Sequence, residues 1–360
     1  MHIRSSFEVG GTETLLANIF NADSDDLKIY LVLWKGGPLV SSLKNKKNVC
    51  QVIERKKKID PAVLNKIGKI IKEESIAIIH THQLIELLYA FLVKIKNPKI
   101  KLVHHVHAFD GKKNGAFYLQ RFLCNFFADK VIAVSKSLYT SLKQKGYSEK
   151  KMVMLLNAVK LINNENAGAQ IAAFKERISY SEKDQVIGMI GNFRIEKDQH
   201  TLIKAFLLLH KEFPDLKLVL IGKLNEEAKK LIAELPEALM NTRLFFTGPI
   251  DYAFNCIVFW KVFIFSSLNE TFGIAPLEAL LQKVPVIASD IEAMKELSVN
   301  GTYFELFKMK DVNDLADKLK KELVSPTQSD KLDWSSAYVR ENFGITNYMK
   351  KLNAVYDLNE

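Results

Sequence analysis

Short apolar runs alternate with amphipathic segments along most of the chain. The runs at 216–222 and 262–265 are rich in β-branched and aromatic residues, as in the buried strands of a parallel sheet. Other segments, such as 61–71, repeat apolar residues three and four positions apart, which predicts helices that pack on one face. This alternation predicts an α/β fold.

The same pattern predicts where the chain divides. A length of 360 residues is long for a single hydrophobic core, and the polar segment 160–181 predicts no strand. We therefore expect one domain over 1–160, a second over 161–342, and a final amphipathic helix within 343–360. Further strands are predicted at 27–34, 76–82, 101–107, 128–135, 151–159, 186–193, 244–250 and 284–290, and further helices at 84–94 and 117–127.

The segment 269–280 carries the most informative motif. It follows the strand 262–265 and turns helical at Pro276, a residue suited to the first turn of a helix. Backbone N–H groups and the positive end of the helix dipole meet at such a junction and favour an anion such as phosphate. Glu270 lies in the loop and Glu278 about one turn into the helix, so both carboxylates can accept hydrogen bonds from hydroxyl groups of one ligand. A nucleotide sugar carries both phosphate and hydroxyls. The alternative is that Glu278 is a solvated helix residue and Glu270 a cap.

Two further segments offer contacts to phosphate. Arg194 and Lys197 follow the strand 186–193 and can project toward the same ligand, where their charges would stabilise a diphosphate leaving group. The alternative is a solvated surface pair. Near the start of the chain, Gly10 and Gly11 precede a helical segment, and their lack of side chains lets the backbone approach a ligand closely.

The motif around Glu270 resembles that of the retaining glycosyltransferases of family 4. In that family a Glu is followed after seven residues by a second Glu, commonly within E-x-F-G-x-x-x-L-E-A. This chain matches the pattern at Glu270, Phe272, Gly273, Leu277, Glu278 and Ala279. The segments at 128–135, 219–222 and 285–290 are also similar to the family. The resemblance implies an α/β protein with two Rossmann-like domains facing a central cleft, the glycosyltransferase B (GT-B) architecture, whose C-terminal helix crosses back to the first domain.

The resemblance also implies roles for individual residues. Glu270 would contact the donor sugar and Glu278 the ribose of the nucleotide. His107 would lie near the reacting face of the sugar. The residues that it places along the rest of the donor are Arg194, Lys197 and Gly11 at the diphosphate, Pro249 and Ile250 beside the base, and the backbone amides of Phe272, Gly273 and Ile274.

The net charge of +10 is concentrated in the first domain. Residues 1–160 hold 27 Lys and Arg against 13 Asp and Glu, whereas the remainder holds 24 against 28. The lysine-rich segment 44–58 is either a solvated face or a surface for anionic lipid headgroups. Nucleic acid is disfavoured as a partner because the basic residues lack aromatic interleaving and a recognised binding module.

Five of the eight histidines lie near the ends of two predicted strands. Zinc is one interpretation, but neighbouring residues of a strand, such as His104 and His105, point to opposite faces and should not converge on one ion. We therefore expect no metal site. Core packing is the expected role of these two residues and of His80 and His82.

Composition limits the location of the protein. The three cysteines have no metal-ligand spacing and predict no disulfide framework. No apolar run reaches the roughly 18 residues needed to span a bilayer, and the first residues have no signal-peptide core. We expect a cytoplasmic protein that can bind peripherally to the inner face of the cell membrane.

The residues and the resemblance together predict a retaining glycosyltransferase that moves a hexose and needs no metal cofactor. The expected donor is a UDP- or GDP-sugar, and the expected acceptor is a glycan, either lipid-linked or part of a growing cell-surface polysaccharide or lipopolysaccharide. Two alternatives remain, which are a nucleotide-sugar epimerase of the same fold and a nucleotide-sugar-binding partner without turnover. The sequence leaves the sugar, the base, the acceptor and the oligomeric state open.

Overall fold

The computed structural model describes residues 1–8, 10–24, 27–107, 114–159, 167–250 and 252–357. The chain divides into two compact units. Unit 1 comprises Met1–Ala158 and Phe343–Glu360, and unit 2 comprises Val159–Asn342. The domain boundary predicted between residues 160 and 161 lies outside the described residues. No helix in the described ranges combines the length and the hydropathy that crossing a bilayer requires.

Unit 1 contains a parallel sheet. Its strands are β1 (His2–Arg4), β2 (Tyr30–Leu33), β3 (Val49–Val52), β4 (Ile78–Thr81), β5 (Lys101–Val106), β6 (Lys130–Ala133) and β7 (Met152–Met154). They are ordered β3-β2-β1-β4-β5-β6-β7 across the sheet. Although β1 is only three residues long, Ile3 pairs with Val32 on one side and with Thr81 on the other. The short apolar start of the chain therefore forms a central strand.

Unit 2 contains a second parallel sheet. Its strands are β8 (Gln185–Ile190), β9 (Leu216–Ile221), β10 (Leu244–Gly248), β11 (Val262–Phe265), β12 (Val286–Ser289) and β13 (Glu305–Phe307), in the order β10-β9-β8-β11-β12-β13. Every residue of β9 and β11 is buried, as expected for strands covered on both faces. Gly188 of β8 is required by packing, because a Cβ there would lie 2.1 Å from the carbonyl oxygen of Val219 and 2.8 Å from the ring of Trp260.

Helices connect most of the strands, and local sequence explains several of their ends. The helices are α1 (Gly11–Asn21), α2 (Pro61–Glu73), α3 (Leu84–Lys96), α4 (Gly115–Phe126), α5 (Lys136–Gln144), α6 (Ala167–Arg177), α7 (Gln199–Leu209), α8 (Glu226–Ala233), α9 (Ile274–Leu281), α10 (Glu292–Ser298), α11 (Val312–Val324), α12 (Ser329–Phe343) and α13 (Ile345–Tyr356). Before α2, the Asp60 side chain accepts a hydrogen bond from the Ala62 N–H at 3.0 Å. Ser135 caps α5 in the same way through the Leu138 N–H at 3.1 Å.

The last helix belongs to the core of unit 1. Tyr348, Met349, Leu352 and Val355 of α13 are buried in one apolar cluster with the inner face of α1. Burial of an apolar side chain of this size contributes roughly 1.5–3 kcal/mol before the entropy of ordering is subtracted. The C-terminal helix is therefore a substantial part of the stability of unit 1.

In both units the strand order reverses beside the first strand. β1 is flanked by β2 and β4, and β8 is flanked by β9 and β11. Open parallel sheets bind ligands outside the carboxyl ends of their strands at such a reversal. The loops that follow β1 and β4, and those that follow β8 and β11, are thus the positions from which each unit can build a site.

The predicted α/β class with parallel sheets is confirmed, but some elements escape the apolar pattern. β3 lies at the sheet edge inside the lysine-rich segment, and its residues are partly or fully exposed. α6 lies in the polar segment 160–181. Its buried residue is Phe174, so its sequence does not repeat buried apolar residues at helical spacing. Such elements form because tertiary packing and pairing support them rather than because their own sequence favours them strongly.

Candidate functional site

The loops after the adjacent strands β8 and β11 are joined by an ion pair. The Lys197 ammonium contacts a carboxylate oxygen of Glu270. Backbone contacts hold the two loops together, since the Leu268 N–H donates to the Glu196 carbonyl at 2.7 Å. The Ser266 hydroxyl donates to the Lys197 carbonyl at 3.0 Å. The sequence motifs around Lys197 and Glu270, 73 residues apart in the chain, therefore meet in one place.

The ion pair is held from two further sides. The Ser267 hydroxyl donates to the same Glu270 oxygen at 3.2 Å. The Lys197 ammonium lies 5.0 Å from the centre of the Phe265 ring, within the range of a cation–π contact. Both ion-pair side chains are partly buried, with exposures of 25% for Lys197 and 19% for Glu270. This arrangement places a positive and a negative group side by side in fixed positions.

Helix α9 begins directly after this loop. Gly273 precedes its first residue with a φ of +95°, a conformation that favours glycine. A Cβ at Gly273 would also lie 2.4 Å from the terminal carbon of Met294. Because Gly273 has no side chain to cap the helix, the N–H groups of the first turn can receive an anion. Phe272 is buried with 3% exposure and anchors the loop.

Glu278 lies in the second turn of α9 and differs from Glu270. Its carboxyl makes no hydrogen bond or ion pair with other residues in the described ranges, although the side chain is partly buried. Burial raises the pKa of Glu278 to about 8. The group is thus mostly neutral at neutral pH and has unused capacity for hydrogen bonds to a ligand.

Arg194 lies beside the pair without joining it. Its side chain is exposed and has no ion pair among the residues that the structure describes. It lines a cavity of about 330 Å³ together with Asn225, Leu268 and Lys310. Pro249 and Ile250 follow β10, two strands away from β8, with Pro249 exposed and Ile250 partly buried.

Unit 1 has its own polar centre after β1. Arg4 donates through Nε to Glu13 at 2.8 Å and through Nη1 to Glu86 at 3.3 Å, and all three side chains are buried. Glu86 also accepts from the His82 N–H at 2.8 Å. Burial raises the pKa of Glu86, while the charge of Arg4 opposes that shift. Through Glu13, this network ties α1 to β1. The network was not predicted from the sequence, although Arg4, a charged residue inside a short apolar strand, was a usable signal.

Five histidines of unit 1 stack into one group, called here the histidine cluster. Its members are His2, His80, His82, His105 and His107, and their ring centres lie 4.1–5.7 Å apart between neighbours. The expectation that the strand-end histidines do not converge was wrong. Alternate residues of one strand share a face, and neighbouring parallel strands bring those faces together.

The expectation of ordinary core packing holds for some histidines of this region but not for others. His104, on the opposite face, bonds to Thr81 at 2.9 Å and to Gln120 at 3.0 Å. His105 is fully buried, and neither of its ring nitrogens has a hydrogen-bond partner in the described part of the chain. His107 bonds through Nε2 to His82 Nδ1 at 2.9 Å, and burial lowers the pKa of His107 to about 3.

Two models of known protein families match the chain. The model described as Glycosyltransferase Family 4 matches residues 10–161, and the model described as Glycosyl transferases group 1 matches residues 170–337. Between them they account for most of unit 1 and most of unit 2.

Individual relatives agree with these models. The N-acetyl-alpha-D-glucosaminyl L-malate synthase of Bacillus anthracis is 25% identical over 264 residues, which cover 72% of this chain and 68% of that protein. The capsular polysaccharide biosynthesis glycosyltransferase CapM of Staphylococcus aureus is 24% identical over 225 residues, which cover 59% of this chain and 56% of that protein. The match with CapM thus spans little more than half the length of that relative.

A solved structure shows the same fold over its whole length. HepE from Anabaena, in complex with UDP-glucose, superimposes with a TM-score of 0.81 at 19% identity, and the match covers 99% of each chain. The two family models together cover most of the chain and show its family, whereas the full-length likeness shows its fold. The chain belongs to the family 4 glycosyltransferases and has the GT-B fold.

Proposed function

We propose that the protein transfers a hexose from a nucleoside diphosphate sugar to a glycan acceptor and retains the configuration at the anomeric carbon. The arrangement at the ends of β8 and β11 carries this proposal. There the Lys197–Glu270 pair stands beside the start of α9, and the carboxyl of Glu278 has no partner within the described ranges. Cations and helix amides suit a diphosphate, and carboxyl groups suit the hydroxyls of sugar and ribose.

The donor would lie across unit 2 with each part matched to one group of residues. Glu270 accepts hydrogen bonds from the sugar hydroxyls, and Glu278 accepts them from the ribose. The remaining donor contacts in the proposal are Arg194 and Lys197 with the diphosphate, the amides of Phe272, Gly273 and Ile274 with its oxygens, and the backbone of Pro249 and Ile250 with the base.

Bond breaking explains why cations are needed at this point. When the bond between the anomeric carbon and the diphosphate oxygen breaks, negative charge accumulates on the departing nucleoside diphosphate. Lys197 and Arg194 stabilise that charge, so a divalent ion is not required for this step. Glu270 fixes Lys197 through their ion pair and holds the sugar. The acceptor hydroxyl attacks the anomeric carbon from the side that the leaving group vacates, and its proton passes to the departing diphosphate oxygen.

Unit 1 supplies the acceptor contacts in this proposal. In line with the family resemblance, Gly11 is proposed to contact the diphosphate of the donor and His107 its sugar. The acceptor is a lipid-linked or growing cell-surface glycan. The name of CapM, a glycosyltransferase of capsular polysaccharide biosynthesis, supports this class of acceptor.

An exposed aromatic face on α4 fits an acceptor that is anchored in a membrane. Tyr118, Leu119, Phe122 and Phe126 are 47%, 42%, 49% and 69% exposed and lie along one side of the helix. Large apolar side chains on a strongly basic protein are suited to the headgroup region of an anionic bilayer. We place the membrane contact here rather than on the lysine-rich segment 44–58.

Donor binding is the first test. A panel of UDP-, GDP- and ADP-sugars is measured for its effect on the melting temperature, because a ligand that binds only the folded state must raise it. One nucleotide class should stabilise the protein. In Lys197→Ala and in Arg194→Ala its affinity should fall at least about tenfold, as expected for the loss of a charge-assisted hydrogen bond.

Lys261→Ala is the matched control. Lys261 is exposed and precedes β11, so it lies at the amino end of the same strand whose carboxyl end carries the site. The change Lys261→Ala removes the same positive charge as Lys197→Ala and should leave donor affinity unchanged. Stabilisation that survives in both site variants, or that is lost equally in Lys261→Ala, would contradict the proposal. Release of nucleoside diphosphate in the presence of acceptor then distinguishes transfer from binding alone.

A further inference from the structure

The histidine cluster has features of a metal site. His82, His105 and His107 each offer one ring nitrogen, and these three atoms lie within 4.8 Å of one another. The ring of His105 is fully buried with both nitrogens lacking a partner in the described part of unit 1. A buried polar group without a hydrogen bond costs about 1–3 kcal/mol, so an imidazole kept in this state points to a ligand that uses its lone pair.

We infer that His82, His105 and His107 bind one divalent transition-metal ion, with Zn²⁺ as the reference ion. An established zinc site has three imidazole nitrogens as ligands and leaves the fourth position to water or another ligand. At Zn–N distances of about 2.0–2.1 Å, neighbouring ligand nitrogens lie roughly 3.4 Å apart. His82 Nδ1 and His107 Nε2, at 2.9 Å, need to separate only slightly, and the ligand nitrogen of His105 lies within 4.8 Å of those of the other two residues.

A chain of hydrogen bonds behind His82 supports this assignment. His82 Nε2 lies 3.1 Å from His2 Nδ1, His2 Nε2 lies 3.2 Å from the Tyr356 hydroxyl, and that hydroxyl lies 2.6 Å from His80 Nδ1. When His82 binds the ion through Nδ1, its Nε2–H donates to His2, His2 donates to Tyr356, and Tyr356 donates to His80. A metal-bound histidine typically donates its second N–H in this way, which fixes the ring and its tautomer.

Metal binding would also affect transfer, a consequence that rests on the proposed function. His107 has the sugar of the donor as its proposed contact, and a bound ion would occupy its Nε2. The ion is therefore an inhibitor or regulator in this inference and takes no part in holding the diphosphate. Binding itself uses residues of unit 1 alone, so it can be measured without donor or acceptor.

The test titrates the full-length, chelator-treated protein with Zn²⁺ by calorimetry and with Co²⁺ by visible absorption. We expect one ion per chain and the intense bands of a four- or five-coordinate Co²⁺ site. His105→Leu should bind at least about 100-fold more weakly. Because the His105 nitrogens lack partners, this change should leave the metal-free melting temperature the same or higher. Tyr356→Phe should weaken binding about 10-fold.

His200→Gln is the control for adventitious binding, because His200 is exposed and lies in unit 2. It should keep full stoichiometry and spectrum. The inference is overturned if wild type binds no ion at micromolar concentration, or if His105→Leu keeps the same stoichiometry, affinity and spectrum as wild type. If Lys197→Ala loses donor binding but keeps unchanged Co²⁺ binding, the donor site and the metal site are independent of each other.

Discussion

Glu278 should couple donor binding to the release of a proton. Its pKa of about 8 means that roughly one tenth of the ligand-free protein carries the carboxylate at about pH 7. A ribose hydroxyl donates a stronger hydrogen bond to a carboxylate than to a neutral carboxyl group, so the donor should select the ionised form. The apparent affinity is then the intrinsic affinity multiplied by the ionised fraction. Between about pH 6.5 and about pH 8.5 the apparent affinity should rise roughly 25-fold.

Calorimetry measures this coupling directly. Titration of the nucleotide sugar at about pH 7 in two buffers of different ionisation enthalpy should show the release of nearly one proton per donor bound. A nucleotide sugar is the right ligand because its diphosphate is esterified at both ends and does not titrate in this range. Glu278→Gln keeps the shape of the side chain but cannot ionise. It should bind donor weakly, with an affinity that does not depend on pH.

A wild-type affinity that stays constant over this range would refute the reasoning, as would equal proton release in Glu278→Gln. Stability gives an independent check with a defined sign. Because the folded-state pKa of Glu278 lies above its ordinary value of 4.5, the neutral carboxyl stabilises the folded state below about pH 4.5, and this contribution is lost as the pH rises to about 8. Over that window, the free energy of unfolding of ligand-free wild type should fall relative to that of Glu278→Gln by at most about 1.4 kcal/mol per pH unit.

Two further predictions concern the backbone of the site and the surface of unit 1. Gly273→Ala forces a side chain into a positive-φ position 2.4 Å from Met294 and should lower the free energy of unfolding by roughly 1–3 kcal/mol in chemical denaturation. Gly301 has a similar φ of +89° and open space around it, so Gly301→Ala should lower the free energy of unfolding only by the cost of the positive-φ backbone. If both variants lose the same free energy of unfolding, the Met294 contact has no role. The double change Phe122→Ser and Phe126→Ser should reduce flotation with vesicles of anionic lipid at least about tenfold, since two exposed rings are lost. Unchanged flotation, or equal binding of wild type to uncharged vesicles, would argue against the α4 surface as an anionic-lipid contact.

The site in unit 2 could be anticipated from sequence because its parts are local. The residues 269–280 contain the loop, the glycine and the first turns of the helix in one continuous stretch, and Arg194 and Lys197 directly follow a strand. The state of the two carboxyl groups could not be anticipated. Glu270 is paired with Lys197 from a distant part of the chain, whereas partial burial raises the pKa of Glu278. Both facts depend on which strands are neighbours.

The histidine cluster shows the same dependence on register. Within β5, His104 and His105 point to opposite faces, so the chain alone suggests that the strand-end histidines are dispersed. Pairing of β1 with β4 sets His2 beside His80, and pairing of β4 with β5 sets Thr81 beside His104 on the other face. His82 and His105 then follow on the cluster side, one residue further along each strand. Within each H-x-H segment the two histidines point to the same face of the sheet, because side chains alternate along a strand. When two such segments end adjacent parallel strands paired in this register, their histidines therefore lie side by side. Side chains on opposite faces prevent only consecutive residues of one strand from sharing a metal ion. A metal site built from alternate residues of neighbouring strands is still possible.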